Sequence, residues 1–125
     1  MNYLWIALGG AFGSVLRFAS SEWIQSPWPS FPWGTLFVNV LGSVLIGTLA
    51  ELSEAGRLGD TLSLRHFLMI GVLGGFTTFS SFSLQTLMLA RSGAMLMAGL
   101  NVLASVGLCL GAAWLGFALG SQLLK

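Results

Sequence analysis

Apolar residues run through this chain in long blocks, and polar positions fall either between the blocks or in narrow stripes inside them. A helix needs about 20 residues to span a hydrocarbon core. Blocks of that size fit at 2–21, 34–52, 63–90 and 94–123, which predicts an all-α membrane protein with four spans in one transmembrane domain, 1–125. The connection 22–33 holds Pro27, Pro29 and Pro32 together with Trp23, Trp28 and Trp33. Proline ends helices and tryptophan favours the headgroup level, so this segment reads as an interfacial loop. The connection 51–60 carries Glu51, Glu54 and Asp60 and reads as aqueous, while 91–93 is so short that the third and fourth spans must form an antiparallel hairpin.

Inside the third block the run GVLGGFTTFSSFS, residues 71–83, mixes glycines, hydroxyls and phenylalanines in a way that suits an uninterrupted helix poorly. The midpoint of 63–91 falls at Thr77, so a break there is expected near the bilayer midplane. Non-helical backbone at that depth is tolerated only where it is buried in protein or lines a water-filled cavity. In an antiparallel dimer the break would meet its partner's, and converging main-chain carbonyls without a carboxylate suit a hard monovalent cation, most simply Na+. The plainer alternative is that the glycines only allow a kink.

Polar stripes extend the pattern. Thr35, Asn39 and Ser43 share one helical face, as do Asn101, Ser105 and Cys109. Interhelical hydrogen bonding accounts for such residues in a membrane, yet an asparagine amide also supplies two donors that suit an anion. Phe76, Phe79 and Phe82 recur every third residue beside Thr78, Ser80 and Ser81. Phenyl edges carry the positive end of the ring quadrupole, so they can flank a small anion without a fixed charge. Gly9 and Gly13 read as helix-packing positions, whereas Arg17, one turn on, must face protein, water or the nearby interface.

Composition and charge narrow the function classes. With 55% hydrophobic and 7% charged residues, the chain departs far from a soluble domain, in which about a quarter are charged. A net charge of +1 and no basic run exclude nucleic acid as a partner, leaving the lipid bilayer of a cell membrane. The single cysteine forms no intrachain disulfide, and the sequence offers no paired acid/base or nucleophile constellation around its one histidine, His66, so no enzyme is expected. The first residues lack a basic flank, which favours a retained span over a cleaved leader. Arg57, Arg65 and Lys125 oppose Arg17 and Arg91 across the membrane, three against two. Orientation follows the Lys/Arg imbalance. So small an imbalance predicts dual topology and an antiparallel homodimer.

Three motifs, GGxxGxxxR at Gly9–Arg17, GTLxxNxxGS at Gly34–Ser43 and GxxGGFTTFSSFS at Gly71–Ser83, together resemble the Fluc (CrcB) family of fluoride ion channels. The resemblance covers all four spans. It implies a dual-topology homodimer with two antiparallel fluoride pores and a structural Na+ at the dimer centre, held by the main-chain carbonyls of Gly74 and Thr77. It also implies Phe79 and Phe82 as the paired pore phenylalanines, Asn39 as the amide on the anion path, Ser81 beside the rings and Arg17 near the vestibule. Thr78 and the Asn101–Ser105 stripe complete the expected fluoride pathway. Some members begin that last stripe with tyrosine, where this chain has Asn101.

The expected activity is therefore passive, fluoride-selective conduction out of the cytoplasm. Its main rival is a small proton-coupled multidrug or cation exporter, also an antiparallel dimer. Such a pump needs a titratable carboxylate within the spans, and Glu22, Glu51, Glu54 and Asp60 all lie away from the middle of a block.

Overall fold

The computed structural model describes residues 1–58 and 62–125, so Asp60, expected in the aqueous loop, lies outside the described residues. The chain order is α1 (Asn2–Gln25), α2 (Trp33–Glu54), α3 (Leu62–Arg65), a π-helical stretch (His66–Leu73), α4 (Gly74–Phe76), α5 (Phe79–Arg91) and α6 (Met95–Leu123). Four helical segments, Asn2–Gln25, Trp33–Glu54, Ser63–Arg91 and Met95–Leu123, are long and apolar enough to cross a membrane. The protein is a multi-pass membrane protein.

Several ends differ from expectation. α1 continues past 21 to Gln25, taking Glu22 and Trp23 out of the loop. Polar residues are tolerated in a helix at the interface, and Ser26 keeps helical dihedrals (φ −52°, ψ −47°) with its N–H bonded to the Glu22 carbonyl; the helix stops there because Pro27 has no N–H to continue the ladder. Gln25 then fastens the proline loop: its amide nitrogen donates to the carbonyls of Trp28 (2.8 Å) and Phe31 (2.9 Å), and its oxygen accepts from the Gly34 N–H (3.2 Å). α2 likewise runs on to Glu54, so Glu51 and Glu54 are helical rather than loop residues. Ser121 of α6 donates to the Glu51 carboxylate at 2.9 Å.

The third span changes character along its length. Its first half includes an eight-residue π-helix, which composition did not suggest. α1 lies along it at backbone distance. A Cβ on Gly9 would overlap the Phe67 carbonyl oxygen, and one on Gly13 the Val72 carbonyl oxygen, so only glycine permits this approach. Helical conformation ends at Phe76. Thr77 (φ −87°, ψ 157°) and Thr78 (φ −152°, ψ 116°) are extended, and α5 starts at Phe79. After α5, Gly93 takes the left-handed conformation (φ 86°) and turns the chain back into α6.

α2 and α6 make the most extensive helix pair. Thr48 shares its hydroxyl proton between Val44 O and, across the interface, Gly116 O, both at 3.0 Å. Few side chains are fully enclosed, Val38 and Asn101 being the largest, while Leu103, Trp114 and many other large apolar residues are exposed. Such a surface suits lipid or a second copy, not water.

Candidate functional site

Where the third span straightens, α2, α5 and α6 leave a groove of about 420 Å³. Asn39 and Ser43 line it from α2, Leu73 from the π-helical stretch and Gly74 from α4, Thr77 and Thr78 from the interruption, Phe79 and Phe82 from α5, and Ser105 and Cys109 from α6. Of the expected pathway residues, Asn39, Thr78, Phe79, Phe82 and Ser105 thus meet around one space. Ser81, Asn101 and Arg17 lie outside its lining.

The extended backbone is held by a side chain. Asn39 donates from Nδ2 to the Thr78 carbonyl (2.9 Å) and accepts at Oδ1 from the Thr78 N–H (2.7 Å). In an unbroken helix that N–H would bond to the carbonyl of Gly74. Asn39 captures it instead, leaving the Gly74 oxygen without its helical donor. One of the two Asn39 amide protons is consequently committed to the backbone, and a single one remains to meet an ion.

Thr78 is the N-cap of α5, and its hydroxyl is saturated. It accepts from the Ser81 N–H (3.2 Å) and donates to Ser81 Oγ (3.0 Å). With its only proton given away, the 3.3 Å contact with Ser80 Oγ has Ser80 as donor. Thr78 therefore orients the two serines and keeps no donor for the groove. Ser81 receives a proton from Thr78, which leaves its own proton uncommitted to that partner.

Two tilted rings form one wall: the Phe79 and Phe82 centroids stand 5.3 Å apart at 51°. Phe82 is buried, whereas Phe79 is 78% exposed in the single chain. Phe76, at the expected third position of the stripe, is buried and outside the lining.

Arg17 reaches the other side of the interruption, donating to the Thr77 carbonyl at 3.4 Å. Gly74 is exposed towards the groove, and both carbonyls are neutral, hard oxygens with no carboxylate among the lining residues. That donor chemistry fits a hard monovalent cation. The long Arg17 bond uses only one of the two lone pairs at Thr77 O.

Asn101 is 2% exposed and sits behind the groove, where its Nδ2 donates to Thr86 Oγ1 at 2.8 Å. Sequence reasoning missed Thr86, and also Gln85, whose amide oxygen is buried without a hydrogen-bond partner. Both are polar residues inside a span, on the turn after Phe82, and that was the available signal.

The sequence profile described as "CrcB-like protein, Camphor Resistance (CrcB)" matches residues 4–117. The chain belongs to the CrcB family. Relatives named "Fluoride-specific ion channel FluC" cover nearly its whole length. The one from Opitutus terrae is 57% identical over 127 residues, spanning 98% of this chain and 96% of its own. The Thermus thermophilus protein is 50% identical over 124 residues, with 98% and 96% covered. The Agrobacterium fabrum protein is 48% identical over 124 residues, with 98% of each covered. Such coverage leaves the family's motifs, the groove and all four spans inside the matched region.

Proposed function

We propose that this chain is a passive fluoride channel, working as an antiparallel homodimer with two pores. The observation that carries the reading is the chemistry of the groove. It presents one spare Asn39 amide proton, the weakly bound Ser105 hydroxyl and two phenyl rings, with no fixed charge among its lining residues. Fluoride holds its water tightly, so a path must replace hydration with several weak donors and still release the ion. The names of the CrcB relatives point the same way.

Dimerisation follows from the unfinished state of this face. Phe79 at 78% exposure and the open side of Gly74 leave the pore half-walled in one chain, and the near-balanced Lys/Arg count favours insertion in both directions. Two inverted copies would bring the Gly74 and Thr77 carbonyls of both subunits together, and these would hold a structural Na+ at the centre. The rival proton-coupled exporter needs a carboxylate on the path, and the groove lining offers none.

The test is ion efflux from liposomes containing the purified protein. Fluoride release without a proton gradient, with chloride retained, is expected; proton-coupled exchange of an organic cation, or no fluoride release, overturns the reading. Replacing Na+ by a large organic cation is expected to weaken assembly or flux. Indifference to that exchange removes the cation from the proposal while leaving the channel.

A further inference from the structure

α5 follows an interruption, so no continuous helical ladder ties it to the first half of its span. Its position has to be set by its neighbours. At its start, Asn39 grips the Thr78 backbone. Two turns further on a second fastening occurs, in three linked hydrogen bonds. Ser105 Oγ donates to Asn101 Oδ1 (3.4 Å), Asn101 Nδ2 donates to Thr86 Oγ1 (2.8 Å), and Thr86 Oγ1 donates to the Phe82 carbonyl (2.8 Å). Both ends of this relay, Ser105 and Phe82, line the groove, and its middle members do not.

We infer that Thr86 is a positioning residue for the anion path, fixing the rotation of α5 and with it the placement of the Phe82 ring against Ser105. The inference rests on the channel reading above. Two fastenings locate a rod and stop it turning, and Phe82 lies between them. The relay also has a fixed polarity. Thr86 has one proton, directed to the Phe82 carbonyl as is usual for a helical threonine, so towards α6 it can only accept. Asn101 must then donate to it and turn its Oδ1 to Ser105. The Ser105 proton is directed inwards by a long bond, weak enough to exchange for a stronger acceptor in the groove. Asn101, buried at 2% exposure, thus acts on the path through Thr86 and Ser105 rather than by touching an ion.

The experiment compares full-length wild type, Thr86→Val and Thr86→Ser in liposomes, reading fluoride efflux, chloride leak and dimer elution. Valine keeps the shape and removes the acceptor. Fluoride efflux is expected to fall about tenfold, with discrimination against chloride reduced, while the dimer still elutes normally. Serine restores the hydroxyl and is expected to stay within about twofold of wild type. Should Thr86→Val fail to assemble, Thr86→Ala removes the same hydroxyl without a branched side chain and is held to the same expectation. Wild-type efflux and selectivity in the hydroxyl-free variant overturn the inference, as does a serine variant impaired as badly as valine, which would assign the effect to the lost methyl. A wild-type protein that carries no fluoride overturns the channel reading itself.

Discussion

The two halves of the third span are held to the protein by opposite means. The first half, through the π-helical stretch, is pressed backbone to backbone against α1, and Gly9 and Gly13 contribute an absence of side chain. The second half, α5, is positioned by polar side chains: Asn39 at Thr78 and Asn101 at Thr86. Close backbone packing is directionless and has no second arrangement to adopt. Hydrogen bonds set orientation, and their donors can be exchanged for an ion at modest cost, since the net worth of each is about 1 kcal/mol. The first half is thus a fixed wall, and the half facing the groove is registered by exchangeable groups.

The largest effect is expected where the wall is breached. Gly13→Leu places a branched side chain where even a Cβ would meet the Val72 carbonyl, and that neighbour is backbone, which cannot swing away. Overpacking commonly costs about 1–3 kcal/mol and more where backbone must shift. The variant is expected to yield no monodisperse protein on gel filtration in detergent. Gly107→Ala is the control, because nothing lies within 4 Å of its Cβ position in the chain. Normal elution of Gly13→Leu would show that the α1 contact is looser than the structure makes it.

A smaller effect on assembly, but a large one on transport, is expected from Asn39→Asp. The carboxylate accepts from the Thr78 N–H as before but cannot donate to the Thr78 carbonyl, so two acceptors face each other where a 2.9 Å bond had been. It also adds a negative charge beside the proposed anion path. Fluoride efflux is expected to drop at least about a hundredfold while the dimer survives, because the wall does not depend on this residue. If efflux and selectivity persist, Asn39 neither shapes the interruption nor meets the ion.

The spans were legible because hydropathy reports directly on the bilayer, and the run 71–83 drew attention through a composition that is uncommon within a helix. What shapes that run was not legible. The partner of Thr78 is Asn39, on another helix, and nothing local in the sequence says which of several polar residues will reach it. The π-helical stretch HFLMIGVL has the composition of any apolar helix, so its widened geometry comes from packing against α1 and leaves no trace in the pattern. Thr78 and Asn101 were read as groups on the path, since a polar residue in a span attracts a functional reading. The Thr78 hydroxyl proton is given to Ser81, and Asn101 is buried with one of its amide protons on Thr86, details that only coordinates reveal. The motif put Arg17 near the vestibule, and the coordinates add that its guanidinium donates to the carbonyl of Thr77.

The smallest effect separates lining the groove from serving it. Ser43 lines the same space as Asn39, one turn along α2, yet its hydroxyl donates back to the Asn39 carbonyl of its own helix at 2.7 Å. That proton is spent locally and holds no second element in place. If the groove works through groups that either register α5 or offer an uncommitted donor, Ser43→Ala should leave fluoride efflux within about twofold of wild type, as expected for removing one local hydrogen bond. Measured beside Asn39→Asp in the same liposomes, the contrast tests the distinction on one helix face. A tenfold loss in Ser43→Ala would mean that the hydroxyl turns to the ion during passage, and the exchangeable half of the site would then extend a full turn further along α2.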